Sequence, residues 1–163
     1  MLAYSSCTYP VTVTFHSPSA TIYQDFDQKI LHLQWTGVVA SAVFRETLEH
    51  TLELINSSQT WFCIYDIKAL RPMPLQDYDW VAYEFLPQVL QSPIKKVAVL
   101  ESVQNMEQLS LQHMVYASYA SLSFKLKYVD DIADALKWFA KKKHGPKEAK
   151  AEAMAAAYSA TLL

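Results

Sequence analysis

At 163 residues, with a formal net charge of −2 and a pI near 6.2, the chain has the length of one domain around a single core. It carries no broad positive field, which sets nucleic acid aside as a partner. Hydrophobic residues make up 52% of it, aromatics 13% and charged residues only 18%, below the roughly 25% of ordinary soluble domains, so apolar surface is left over for a partner subunit or a ligand.

Cys7 and Cys63 are far apart and in different contexts, which favours reduced thiols over a structural disulfide. The amino terminus MLAYSSCTYP has no basic residue and no apolar run of signal-peptide length, and no stretch approaches the ~20 apolar residues of a membrane span. The protein therefore reads as cytoplasmic and soluble.

Residues 1–20 form a lead in which VTVTF fits either a short edge strand or a disordered segment. From Thr21, TIYQDF and KILHLQW flank Asp27-Gln28. Leu31, Leu33 and Trp35 alternate with His32 and Gln34, the pattern of a β-hairpin with one face inward. Gly37 ends the second strand and lets the chain turn. A helix is expected from about Ser41 to Ile55, with Phe44, Leu48, Thr51, Leu52 and Ile55 on one face, Ser41 as its cap and Asn56-Ser57-Ser58 as its stop.

Trp61 to Tyr65 are five consecutive apolar or aromatic residues, too few for a helix, running into Asp66. This is the expected central strand, and the loop after it is where function sits in an open α/β sheet. A second helix follows over Leu75–Leu90, with Asp77 and Asp79 in its first turn, an apolar face of Trp80, Tyr83, Leu86 and Leu90, and Pro87 kinking or shortening it. KKVAVL (Lys95 to Leu100) is the next buried strand, a helix is expected from Asn105 to about Tyr119, and SFKLKYV alternates as an edge strand guarded by Lys125 and Lys127. Asp131 and Asp134 open a last core helix carrying Ile132, Ala135, Leu136 and Phe139, with Lys141, Lys142 and Lys143 at its carboxyl end.

The alternation implies an α/β fold: a four- or five-stranded mixed sheet with an opening antiparallel hairpin and helices packed mainly on one face, in a single domain over residues 21–143. Residues 144–163 form an alanine-rich tail that is helical only if it packs on something.

The phrases KILHLQWTG, WFCIYDIKAL, QDYDWVAYEFLPQVL, IKKVAVLES and KLKYVDDIADALKWF, in this order from about Thr21 to Lys142, resemble the small bacterial proteins of the STAS, or SpoIIAA-like, family, some of them labelled STAS/SEC14-like. The resemblance implies a mixed sheet with helices mostly on one side and a role in binding partners or small ligands. It also implies, after the central strand, the phosphorylatable serine of the anti-sigma-factor antagonists. The matching stretch here is Asp66-Ile67-Lys68, with no hydroxyl at position 68, and a lysine there attracts an acidic group instead of receiving a phosphate.

No catalytic constellation stands out. The histidines His16, His32, His50, His113 and His144 lack metal-site spacing, and Cys63 between Phe62 and Ile64 reads as a buried, inert thiol. Two isolated glycines provide no phosphate loop, which argues against nucleotide-dependent enzymes, and with no metal-site spacing neither metal nor cofactor is implied. Asp66 is the most suggestive carboxylate, set against the plainer reading that it binds loop amides. Lys141 to Lys143 falls short of the about 4 to 8 charges of lipid recognition and reads as a solvated helix end.

The aromatics at 78, 80, 83 and 85 cannot all face one way on a helix, which points to an interface. The first expectation is therefore a non-enzymatic regulatory or scaffolding domain that binds a protein partner, as a homodimer, through Asp66, Lys68, Arg71, Tyr78 and Trp80. The alternative is a binder of a small apolar or lipid-like molecule between sheet and helices. A third, weaker reading is an enzyme using Asp66 with Lys68 or Arg71.

Overall fold

The computed structural model of the chain describes residues 11–101 and 122–141. Six strands form one sheet in sequence order: β1 (Thr12–His16), β2 (Ala20–Asp25), β3 (Ile30–Gly37), β4 (Phe62–Leu70), β5 (Lys96–Leu100) and β6 (Lys125–Val129). β1, β2 and β3 pair antiparallel, and β3 to β6 pair parallel. The residues between β2 and β3 are too few for a crossover and force an antiparallel return, whereas a helix lies between β3 and β4. The expected mixed α/β sheet is present with six strands in place of four or five, because the lead contributes β1 at the margin beside β2.

α1 (Ser41–Ser58) lies between β3 and β4; α2 (Leu75–Trp80), a π-helical stretch (Val81–Phe85) and α3 (Leu86–Val89) lie end to end between β4 and β5; α4 (Ile132–Ala140) follows β6. The helix expected over residues 105–119 and the alanine-rich tail fall outside the described residues. On one sheet face Leu31, Leu33, Trp35, Cys63, Ile67 and Leu126 pack under α1 and the α2–α3 rod, with Trp35 stacked on Phe44 at 5.1 Å between ring centroids. On the other, Ile30, Ile64, Ala98 and Leu100 pack against Ile132, Ala135 and Trp138 of α4, and Phe62 stacks on Phe139 at 4.9 Å.

β3 departs from the one-face-inward expectation. Leu31, Leu33 and Trp35 face the first layer, but His32 on the opposite side is only 1% exposed, because both faces are covered at this height.

Local chemistry explains the helix ends. Ala40, not Ser41, is the cap of α1. Ser41 is the first helical residue, and its Oγ donates to Asp77 Oδ2 at 2.6 Å. Asn56-Ser57-Ser58 does not stop the helix, since both serine hydroxyls donate back to the Leu54 carbonyl and stay compatible with helical backbone. The helix ends at Gln59, in the left-handed region at φ 52°, whose N–H reaches the Ile55 carbonyl. Gly37 also has positive φ, at 77°, with open space where a Cβ would sit, so backbone conformation and not room selects glycine there.

The kink expected at Pro87 takes the form of the π stretch. Proline has no N–H, and in α geometry its ring would clash with the carbonyl of Tyr83. The wider turn, with Leu86 N–H donating to Val81 O, relieves that clash just ahead of the ring. At the last helix Asp131 caps as expected, accepting from the Asp134 N–H at 2.8 Å.

Asp77 lies in the first turn of α2, as expected, but it is not there for the helix end alone. It is 0% exposed and accepts from both Ser41 Oγ and Arg45 Nε, the latter at 3.0 Å, so it clips α2 to α1. Arg45→Ala should cost about 3 kcal/mol in urea unfolding, because it strands a buried carboxylate. Asp77→Asn, which keeps a partner for Ser41 and removes the charge, should cost only about 1 kcal/mol. Equal losses for the two variants would show that charge burial is not what the clip depends on.

Candidate functional site

The sequence placed function on the loop after the central strand. That strand is central, fourth of six, but it is longer than its five-residue apolar run: β4 continues to Leu70 because β3 pairs alongside it up to Gly37↔Leu70. Asp66 therefore lies inside the sheet and not at its rim, and Lys68 is a strand residue. The rim begins at Arg71, whose N–H donates to Gly37 O at 3.0 Å and so ties together the loops that leave β3 and β4.

The five candidate residues have different environments. Lys68 and Arg71 face solvent. Tyr78 is 4% exposed, and its hydroxyl accepts from Met73 N–H at 3.1 Å, pinning the loop onto the helix. Trp80 is 7% exposed, stacked on Phe85 at 5.5 Å with the Arg45 guanidinium over its ring at 5.3 Å. Asp66 is 3% exposed, accepts from the Lys68 N–H through Oδ1, and lies 3.4 Å from His32 Nε2 through Oδ2. The aromatic left over at the surface is Tyr83, 79% exposed.

His32 and Asp66 form a buried pair on neighbouring parallel strands, joined by the Tyr23 ring 5.4 Å from the imidazole. Burial lowers the imidazole pKa below its ordinary 6.5, outweighing the hydrogen bond and charge of Asp66, which act the other way. The ring is accordingly neutral at pH 7, with Nε2–H donating to the carboxylate.

A second site, which no local pattern in the sequence marks, lies between the sheet and the first helix layer. It is a cavity of about 130 Å³. Cys63, Tyr65, Val99 and Leu126 form its floor, Leu48, Thr51 and Ile55 of α1 one wall, and Val81, Phe85 and Leu86 of the π stretch and α3 the other. Thr51 does not bring a free hydroxyl to it, because its Oγ1 donates to the Thr47 carbonyl at 2.7 Å. Burial pushes the Cys63 thiol up to about 12 and raises the Tyr65 and Tyr128 phenols as well, so every titratable group on the lining is uncharged at neutral pH. Among the described residues no group of three or more His, Cys, Asp or Glu side chains is placed to hold a metal ion.

The depressed imidazole pKa fixes a sign. The unfolded chain takes up a proton at His32 near pH 6.5 and the folded chain only at lower pH, so the unfolded state binds more protons in between. This contribution to stability is complete above pH 6.5 and is lost as pH falls below it. Urea midpoints measured from neutral pH downward should decline in that window, and His32→Gln should flatten the decline. An unchanged slope in the variant would place the sensitivity elsewhere.

No protein-family model and no curated protein matches the sequence. Among solved structures, the crystal structure of an uncharacterised DUF3478-family protein from Shewanella loihica PV-4, with a SpoIIAA-like fold, is similar at a TM-score of 0.51 and 13% identity, over 80% of this chain and 93% of that one. The strand order, the antiparallel opening followed by parallel strands, and this likeness together give the chain a SpoIIAA-like fold.

Proposed function

We propose that this protein is a non-enzymatic binding domain whose sheet–helix cavity holds a small apolar ligand. The observation that carries the reading is the cavity itself, about 130 Å³ and bounded almost wholly by carbon. An apolar void of ~150 Å³ in a protein core takes benzene or xenon and excludes water, while pockets for drug-sized molecules begin near 300 Å³. Size therefore selects a single aromatic ring or a short alkyl segment, and a whole long-chain lipid is too large. With no charged group on the lining, recognition rests on shape and desolvation.

Thermal melts with benzene, toluene and indole test this. A ligand at 100 times its Kd raises stability by about 2.7 kcal/mol, a shift of several degrees for a chain of this size. Val97→Phe, on the lining, should abolish the shift while the unliganded protein still melts cooperatively. Melts that none of these probes moves would reject the reading.

A protein-interaction role, through a partner or a second copy of the chain, has its own support. Val38, 84% exposed, stands on the loop leaving β3, and Leu75, 62% exposed, opens α2 at the end of the loop leaving β4 that carries exposed Arg71; Tyr83 in the π stretch is 79% exposed. Apolar side chains on a rim with basic neighbours match the make-up of a partner-binding patch. Light scattering across micromolar concentrations should then show a dimer that Val38→Glu with Leu75→Glu dissociates. A monomer at every concentration would count against self-association.

A further inference from the structure

The strands β3 to β6 begin at one end of the sheet, and the residues at or just before their starts include Lys29, Trp61, Lys95, Lys96 and Lys125. The Lys29 carbonyl accepts the Trp61 and Phe62 N–H groups, each at 3.0 Å. The Trp61 carbonyl accepts from Lys95 at 2.7 Å and Lys96 at 3.2 Å, and the Lys95 carbonyl accepts from Lys125 at 3.0 Å. These bonds set Lys29, Trp61 and Lys95 in a row across three adjacent strands, about 10 Å long at ~4.8 Å per strand step, with Lys125 level with Lys96 one residue further in. The Lys29 and Lys95 ammonium groups lie 4.0 and 3.6 Å from the centre of the Trp61 ring, so one indole gathers two like charges.

Lys96 extends the row. Its Nζ donates to the Trp138 carbonyl at 2.8 Å and the Lys141 carbonyl at 3.4 Å, which brings the carboxyl end of α4, with Lys141, to the same rim. The sequence continues with Lys142 and Lys143. Among the described residues the ion pairs are His32–Asp66, Arg45–Asp77 and His50–Glu53, none of which uses Lys29, Lys95 or Lys141. Beside the row, on the loop joining β2 to β3, Phe26 is 55% exposed, with Asp27 as its acidic neighbour and Lys29 closing the loop at φ 58°.

We infer that this rim docks on an anionic membrane surface, with the Phe26 ring entering the interface and the lysines meeting headgroup phosphates. The three-lysine run of the sequence is too small for such recognition alone. The fold brings Lys29, Lys95 and Lys125 to the same end of the sheet as Lys141, and these four reach the lower end of the range of about 4 to 8 charges. An exposed phenyl beside the row separates a bilayer from other polyanions, since an acidic peptide answers the charge but gives the ring nothing to enter. The Trp61 face, which a nucleic-acid base would need for stacking, is already occupied by ammonium groups. Among the described residues no helix is long and apolar enough to cross a membrane, so the association is peripheral. It is independent of the cavity.

Cosedimentation of the full chain with phosphatidylserine–phosphatidylcholine vesicles, and with phosphatidylcholine alone, tests the inference. Binding is expected only to the serine-containing vesicles and should fall as salt is raised. Lys95→Gln, at an exposed position, should weaken it about fivefold. Phe26→Ser should weaken it by a factor that does not depend on salt. Three results would overturn the inference: no binding at low salt, equal binding to both vesicle types, or full retention in Phe26→Ser with polyglutamate or a single-stranded oligonucleotide binding as tightly as the vesicles.

Discussion

The burial of β4 from both sides is the constraint on which the rest of the molecule depends. Cys63, Tyr65 and Ile67 look towards α1 and the α2–α3 rod, and Ile64 and Asp66 look the other way. A strand placed so cannot send any side chain to water over this stretch, and each residue must match the layer it meets. That is why a carboxylate in the strand comes with a histidine on the neighbouring strand and a backbone amide two residues on. It is also why the thiol and the phenol on the other side remain uncharged, giving an apolar cavity instead of a polar cleft.

Much of this was legible in the residues, and the failures share a cause. The hairpin, α1, the lysine-guarded edge at β6 and the Asp131 cap were readable because each rests on a local period or a local hydrogen bond. The carboxyl end of β4 was not, since its continuation to Leu70 depends on a partner strand that persists to Gly37. His32 was read as facing outward because alternation tells which residues share a side, not whether that side is covered. The aromatics at 78, 80, 83 and 85 cannot all face one way on a helix, but spacing alone does not say which of them is exposed. The pitch changes at Val81, after which Tyr83 alone of the four aromatics stands far into solvent.

The two candidate regions were legible to different degrees. The rim after β4 was located by a fold-level rule and is where Arg71, Val38 and Leu75 stand. The cavity was foreseen only as a place, between sheet and helices. A void is a property of how three surfaces fail to meet, and no single segment records it. The basic row at the opposite end is a third kind of feature. Its lysines belong to separate strands and a helix end, so a net charge of −2 concealed it until the strand starts were aligned.

The π stretch makes the chain between Leu75 and Val89 intolerant of any change in length. Each residue advances a helix by about 100°, and a π turn is geometrically an α turn that has absorbed one residue too many. Removing a single residue there would restore ordinary pitch, yet it would also swing Leu86 and Val89 by that angle away from the sheet. The internal shape of the protein is thus written partly in residue count, and closely similar chains that conserve every lining side chain but not the spacing would enclose a different space.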